Sequence, residues 1–193
     1  MPWEKQFDVE AAMGRAMKAF WSKGFEATST QDLLDAMNIN RGSLYDTYGN
    51  KRRLFLDCLE HYDACYQKPR MRAASRDRSP RETIRALFDM LAAGAAADGA
   101  RRGCFLVNTA LDLAPHDPEI AALVERHLSD IEAFFRTEIE DGKRAGEFSP
   151  DLDAGETSRG LLGLVLGIGV LARSRPDASV LAAVARQATK ILS

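Results

Sequence analysis

Apolar side chains recur at three- or four-residue spacing along most of the chain, and capping residues bound the segments that they form. This spacing places apolar residues on one face of a helix, and no long segment shows the two-residue alternation of a half-buried strand. The pattern predicts an all-α fold of about nine helices.

A polar, basic stretch predicts a loop over residues 72–81, and Pro69 predicts a kink or local end in the helix that contains it. The longer helices are predicted over residues 7–23, 51–74, 80–97, 104–113, 119–145, 153–173 and 178–192.

The segment from Thr28 to Lys51 predicts two short helices joined by a tight turn. Ser29 and Asp32 have the spacing of a capping box. Asn38 tolerates the left-handed backbone that a sharp turn needs, and Asn40 can cap the second helix. That helix begins with polar residues, an arrangement that suits insertion into the major groove of DNA. From spacing alone, an ordinary helical hairpin at the edge of a bundle is the alternative.

The run DLLDAMNINRGSLYDTYGNKRRLF, from Asp32 to Phe55, resembles the DNA-binding signature of the TetR family of bacterial repressors. In that family the signature closes a three-helix DNA-binding head. The chain departs from the usual pattern at Leu34, Asn38 and Tyr48, where the family has alanine, glycine and phenylalanine. None of these departures changes the physical role of its position.

The resemblance implies a DNA-binding domain over residues 1–50 and a ligand-binding and dimerisation domain over residues 51–193. It also implies a cytoplasmic homodimer that represses transcription from a palindromic, double-stranded operator and is released by a small-molecule inducer. An arginine at the start of the recognition helix can contact guanine twice, whereas hydroxyl groups and lysine suit phosphates. The implied DNA-contacting residues are Thr28, Thr30, Arg41, Gly42, Ser43, Tyr45, Thr47, Tyr48 and Lys51.

The formal net charge of −2 is unlike that of a protein that coats nucleic acid through charge alone. The first 56 residues contain eight Lys and Arg against seven Asp and Glu, so the head has almost no excess positive charge. Nonspecific binding depends on many phosphate contacts. The balance favours sequence-specific binding through a few placed side chains, which a dimer would present twice.

The rest of the composition narrows the functional class. Three cysteines, an odd number, argue against a disulfide framework and for a reducing compartment. No run approaches the roughly 20 apolar residues of a membrane span, and the acidic N-terminal segment does not predict a signal peptide. The three histidines are scattered and no hydrolase, zinc or phosphate-loop motif occurs. The sequence therefore predicts no enzyme, metal site or cofactor.

Four glycines, Gly160, Gly163, Gly167 and Gly169, fall within one predicted helix. Each lowers helix stability by up to about 1 kcal/mol relative to alanine, so a close approach of another helix is expected to offset that cost. The resemblance implies that this helix and the last one form a dimer interface, and packing inside one subunit is the alternative. The predicted interface residues are Gly160, Gly163, Leu164, Gly167, Val180 and Val184.

A pocket for the inducer is expected between the fourth helix and the central helices of the second domain. Pockets for small molecules combine mostly apolar walls with a few polar groups. The predicted lining is Tyr62, Tyr66, Phe88, Cys104, Asn108, Thr109, Leu111 and Phe134.

Two further functions are compatible with the sequence. The segment RGCFLVNTALDLA over residues 102–114 resembles a subgroup in which a cysteine begins the sixth helix, and some relatives use it to sense electrophiles or oxidants. Arg101, Arg102 and the helix N-terminus would favour the reactive thiolate of Cys104. A thiol-sensing repressor is therefore one alternative, and a helical interaction protein that binds no DNA is the other.

Overall fold

The computed structural model describes residues 7–192, and every regular element in that range is a helix. Residues 1–6, on which part of the signal-peptide prediction rests, and Ser193 lie outside the described residues. The helices are α1 (Val9–Lys23), α2 (Thr30–Met37), α3 (Arg41–Tyr48), α4 (Lys51–Tyr62), α5 (Lys68–Ser75), α6 (Pro80–Ala97), α7 (Phe105–Asp112), α8 (Pro118–Arg144), α9 (Ala154–Ser174) and α10 (Ala178–Ile191). A π-helical turn over Asp63–Gln67 makes α4 and α5 continuous, so the described range contains nine separate helices. The predicted all-α fold is confirmed.

The π-helical turn explains how the long helix passes Pro69. Proline donates no backbone hydrogen bond, and its ring displaces the carbonyl group four residues earlier, here that of Cys65. The turn over Asp63–Gln67 lies directly before the proline and widens the helix at that carbonyl. The helix therefore continues past the turn as α5, as such insertions commonly allow.

The loop predicted over residues 72–81 is shorter than expected, because α5 extends into it and α6 begins at its end. Arg78 stabilises the last turn of α5 by donating from Nη1 to the carbonyl oxygens of Ala73 and Ala74, at 2.8 and 3.1 Å. A basic side chain in this position satisfies helix carbonyls that would otherwise lack a donor. One of the basic residues that suggested a loop, Arg78, instead caps a helix.

The chain divides into two compact units, Met1–Tyr66 and Gln67–Ser193. In the first unit α1 packs on α2 and α4, and α3 lies against α4. Phe55 of α4 meets the rings of Phe20 and Phe25 edge-on, with centroids 5.1 and 5.0 Å apart. These contacts include α4 in the compact head. A functional boundary after residue 50 remains a prediction.

The second unit is organised around α6, which packs on α5, α8, α9 and α10. The shorter α7 lies on α8 and α9. Glu147, just after α8, ties the start of α6 to this bundle: its Oε2 accepts hydrogen bonds from Ser79 Oγ and Arg81 N, at 3.0 and 3.1 Å. The largest fully buried side chains of this unit are Ile84, Phe88, Leu106 and Phe135.

Candidate nucleic-acid interface

Two side-chain caps and a left-handed turn residue fix the path of the helix-turn-helix segment. Ser29 and Asp32 form the predicted capping box, with Ser29 N donating to Asp32 Oδ2 at 2.8 Å and Asp32 N donating to Ser29 Oγ at 3.0 Å. Asn38 takes the predicted left-handed conformation, with φ at 55°. Asn40 Oδ1 accepts from Ser43 N at 2.8 Å and so caps α3. The turn geometry predicted from the sequence is confirmed.

Two tertiary contacts that local sequence patterns do not reveal also hold α2. Arg15 of α1 donates from Nη2 to the carbonyl oxygen of Met37 at 2.7 Å, which satisfies the C-terminal end of α2. Lys23 Nζ lies 2.6 Å from Asp32 Oδ1 at the opposite end. The hydrogen bonds from Lys23 and Ser29 hold the pKa of the Asp32 carboxyl group well below its usual range. Arg15 and Lys23 both come from α1, so α1 holds α2 at each end.

Seven of the nine predicted DNA-contacting residues remain accessible in the described structure. Arg41, at the first position of α3, is exposed and has no hydrogen-bond or ion-pair partner among the described residues. The Tyr45 side chain is 44% exposed, which is high for an aromatic ring and leaves it free for an external contact. The seven residues, which we call the α3 surface, are Thr30, Arg41, Gly42, Ser43, Tyr45, Thr47 and Lys51.

Thr28 and Tyr48 do not belong to this surface, because both side chains are buried in the described structure. Thr28 is completely buried and donates from Oγ1 to the carbonyl oxygen of Gly24 at 2.6 Å. Tyr48 is 5% exposed, and its hydroxyl group donates to the carbonyl oxygen of Val9 at 3.3 Å. Burial of the side chain raises the pKa of the Tyr48 hydroxyl group. Both hydroxyl groups serve the packing of the head.

Lys51 has a structural contact as well as partial exposure. Its Nζ lies 4.4 Å from the centroid of the Phe25 ring, within the range of a cation–π interaction. This contact positions the ammonium group at the start of α4, and no carboxylate of the described residues pairs with it. A positioned cation of this kind suits a backbone phosphate.

A narrow cleft lies within the second unit, between α5, α6, α8 and α9. Its cavity volume of about 10 Å³ is enough for about one water molecule. The apolar walls are aliphatic, whereas one side carries an amide and a guanidinium group. The lining residues are Gln67, Arg70, Met71, Leu87, Leu91, Ile131 and Val165.

None of the eight residues predicted for the inducer pocket lines this cleft. Tyr62 and Tyr66 belong to the first unit, where their rings pack on Trp21 at centroid distances of 5.1 and 5.7 Å. Leu111 is 64% exposed, and so its side chain does not line an enclosed cavity within one protomer. The apolar stripe of α4 that suggested a pocket wall is instead packed inside the head.

The other five predicted pocket residues lie on three helices: Cys104, Asn108 and Thr109 belong to α7 or its N-cap, Phe88 to α6 and Phe134 to α8. Phe88 stacks on Phe135 with centroids 5.7 Å apart, and Phe134 lies edge-on to Phe135 at the same centroid distance. Thr109 is buried and donates to the carbonyl oxygen of Phe105, while Asn108 donates from Nδ2 to the carbonyl oxygen of Arg102. These polar groups stabilise α7 and the loop before it.

Cys104 is the N-cap residue of α7 and is half-buried. The positive charge expected beside it is partly engaged elsewhere, because Arg102 Nη2 lies 2.9 Å from Asp98 Oδ1. A different cysteine, Cys65, is exposed, and its Sγ lies 3.6 Å from His61 Nε2. Within residues 7–192 no group of three or more potential metal ligands occurs.

The predicted dimer residues lie on a face of α9 and α10 that the described chain leaves open. Gly160 and Gly163 are exposed, and a Cβ atom added at either position, or at Gly167, would meet no atom within 4 Å. Gly169 differs, because an added Cβ would lie 2.9 Å from Cys104 Cβ and Val107 Cγ2. Gly169 therefore serves packing on α7 within one chain, which leaves the other three glycines without an intramolecular reason.

By length and composition alone, α9 could cross a membrane, yet 39% of its most apolar window is buried inside the described chain. The helix packs on α6, α7, α8 and α10 of the same chain. The remaining side chains on the open face are Leu164, Val170, Val180, Val184 and Ile191, which are half-buried or exposed. The helix is apolar on two sides, and only one of these is covered by its own chain.

Comparisons with known proteins cover both units. Residues 13–58 match the family model of the bacterial regulatory proteins of the tetR family, and residues 80–188 match the tetracyclin repressor-like C-terminal domain. The uncharacterized HTH-type transcriptional regulator YezE of Bacillus subtilis is 35% identical over 175 residues, which cover 90% of each protein. The HTH-type transcriptional repressor ComR of Escherichia coli is 28% identical over 88% of this chain and 81% of its own length.

A solved structure with DNA shares the whole architecture. The TetR family transcriptional regulator CifR, as a cysteine mutant complexed with a 26-base-pair double-strand operator DNA, superposes with a TM-score of 0.87. The two proteins are 29% identical, and the match covers 96% of this chain and 97% of CifR. The helix-turn-helix head, the helical second unit and these relatives agree, and the chain belongs to the TetR family of bacterial transcriptional regulators.

Proposed function

We propose that this DNA-binding regulator is a cytoplasmic homodimeric repressor that leaves a palindromic operator when a small molecule binds. Its membership in a family of transcriptional regulators establishes DNA binding as its class of activity. This membership excludes the alternative of a helical interaction protein that binds no DNA, and it excludes an enzyme. The observation that carries the DNA contacts is the exposed, unpartnered Arg41 at the start of α3. It can reach two acceptors of a guanine in the major groove, while the hydroxyl groups of the α3 surface reach phosphates.

Dimerisation is supported by the open apolar face of α9 and α10. Glycines at Gly160, Gly163 and Gly167 cost helix stability and have no packing partner in one chain. A second copy packed on this face would bury their surface and permit close helix contact. Two heads held by such a dimer would contact two half-sites, one helical turn or a multiple of it apart. CifR has been solved on a 26-base-pair operator, a length that holds two such half-sites.

The effector response is proposed for the second unit, since it contains a cleft with mixed polar and apolar lining. A ligand that binds one conformation better than another shifts the population toward it, and a different spacing of the two heads would no longer fit the operator. A thiol switch at Cys104 is the second candidate. Its half-buried position at the start of α7 is the observation that favours it.

The test is a footprint on the DNA upstream of the protein's own gene, at several salt concentrations and with candidate effectors. We expect protection of a palindrome of two half-sites that competitor DNA of unrelated sequence does not remove. Protection that falls equally on all sequences would contradict the proposal. Loss of protection with an electrophile in wild type but not in Cys104→Ser would favour the thiol switch over the reversible ligand.

A further inference from the structure

The cleft between α5, α6, α8 and α9 has an unequal distribution of chemistry. Leu87, Leu91, Ile131 and Val165 form an aliphatic interior, and the polar groups all come from the segment around the start of α5. Gln67, the last residue of the π turn, is 7% exposed, so its amide is held at the inner end of this polar side. A molecule that fills the cleft therefore needs an apolar body and one polar end.

Arg70 determines which charge the polar end of a bound molecule should carry. The residue is half-buried, and its guanidinium group donates from Nη1 to Gln67 Oε1 at 3.3 Å. Among the described residues no carboxylate lies within 4 Å of it. By contrast, the half-buried guanidinium group of Arg102 is paired with the carboxylate of Asp98 at 2.9 Å. A guanidinium group that is partly removed from water without a carboxylate carries an uncompensated desolvation cost, which an anionic ligand would offset.

We propose that the effector of this regulator is a small monocarboxylate with an aliphatic tail. This inference rests on the proposed function of the cleft and names its ligand class. The carboxylate would accept two parallel hydrogen bonds from the fork of Arg70, the geometry that arginine favours for such groups. The amide of Gln67 would donate to the same oxygens, and the tail would lie between Leu87, Ile131 and Val165.

The ligand enters by displacing side chains, because the cavity in the described structure has a volume of only about 10 Å³. Three of the seven lining residues, Arg70, Met71 and Leu91, are half-buried and can change rotamer without breaking a hydrogen bond other than the one between Arg70 and Gln67. Methionine in particular adapts to irregular shapes. Filling the cleft would push on α5, which is continuous with the π turn and α4.

Calorimetric titration of the full-length protein with octanoate and with octanamide tests the charge requirement. The two probes share a tail length and differ in the anionic head. We expect octanoate to bind wild type about tenfold more tightly than octanamide, the difference that charge-assisted hydrogen bonds provide. Arg70→Met keeps the length of the side chain and removes the fork, and should bring the ratio close to one. Arg72→Met removes an exposed arginine of the same helix and should leave the ratio unchanged.

Equal affinity of the two probes for wild type would overturn the inference, as would a preference for octanoate that persists in Arg70→Met. Absence of measurable binding of either probe at millimolar concentration would also overturn it. Operator footprints of the same proteins without probe report on DNA binding separately. Intact protection in wild type and Arg70→Met, together with failure of octanoate to bind, would reject this ligand class and leave the proposed regulator standing.

Discussion

At the scale of single residues, burial separates hydroxyl groups that build the head from those that can meet DNA. Thr28 and Tyr48 have already used their hydroxyl groups on backbone carbonyls, whereas Tyr45 is exposed. A buried hydroxyl group needs an internal partner, because leaving it unpaired costs about 1–3 kcal/mol. The same residue types in one short segment therefore have opposite roles.

Arg41→Ala should remove operator selectivity while the head stays folded, since the side chain has no partner within the described structure. The expected cost in specific binding is about 1–3 kcal/mol, and a competition footprint against operators mutated at single base pairs measures it. Tyr48→Phe is the matched control: it keeps the buried ring and should retain protection. If Tyr48→Phe lost protection while Arg41→Ala kept it, the assignment of the α3 surface would be wrong.

Glu138→Gln should change how stability depends on pH. Partial burial, with the charges of Asp141 and Glu147, raises the pKa of Glu138 to about 7. The folded state therefore holds a proton that the unfolded chain has released above about pH 4.3, so wild type loses stability as pH rises from about 4.3 through 7. After allowance for solvent screening, Glu138→Gln should be more stable than wild type by roughly 1 kcal/mol at pH 8 and about equal at pH 4.

Urea denaturation at pH 4, 6 and 8 provides the measurement. The difference between the two proteins should grow with pH. Glu140→Gln, an exposed glutamate of the same helix, serves as the control and should show no such trend. A constant difference at all three pH values would mean that burial of Glu138 has no effect on its titration.

At the scale of elements, the glycines of one helix differ in the space beside them. In α9, Gly169 lies against Cys104 and Val107 of the neighbouring segment, whereas the space beside Gly163 is open in one chain. The long helix from α4 to α5 shows a related compromise, because a π turn accommodates Pro69 without ending the helix. In both places, packing decides whether a poor helix residue is tolerated.

Gly169→Ala should destabilise the fold by about 1–3 kcal/mol, because its Cβ would overlap Cys104 and Val107. Gly163→Ala should leave the isolated chain unchanged or more stable by up to about 1 kcal/mol, since alanine is the better helix former. Urea denaturation of both variants, at protein concentrations below the dissociation constant of the proposed dimer, compares the two effects. Equal effects of both substitutions would show that the crowding at Gly169 is relieved by small shifts.

At the scale of the whole molecule, the two compact units contain different candidate sites. The head presents the α3 surface, and the second unit carries both the cleft and the open face of α9 and α10. A head with almost no excess charge would gain affinity by binding twice, because the proposed dimer would make the second contact intramolecular. Operator binding should therefore depend on protein association.

Leu164→Arg should convert the protein to a monomer and weaken operator binding at least tenfold, since it places a charge in the middle of the proposed apolar interface. Sedimentation velocity measures the association state, and the footprint measures binding. Ala73→Arg adds the same charge at an exposed position of α5 and should remain dimeric. A dimeric Leu164→Arg would place the interface elsewhere.

The sequence by itself determined the local structure: the capping box at Ser29, the left-handed turn at Asn38 and the period of each helix. These depend on residues within a few positions of one another. The nine predicted DNA-contacting residues followed from the same local pattern together with the family resemblance. Seven of them remain accessible and form the α3 surface.

Only the tertiary structure decided which apolar and polar side chains face one another across distant helices. It placed Tyr62 and Tyr66 on Trp21 instead of in a pocket, and it brought Arg70 to a cleft formed by residues up to 95 positions away. Helical periodicity identifies the face of a helix that is apolar, but it does not identify what covers that face. Burial and partner choice are set by packing between elements, and therefore only the folded chain reveals where a ligand can bind.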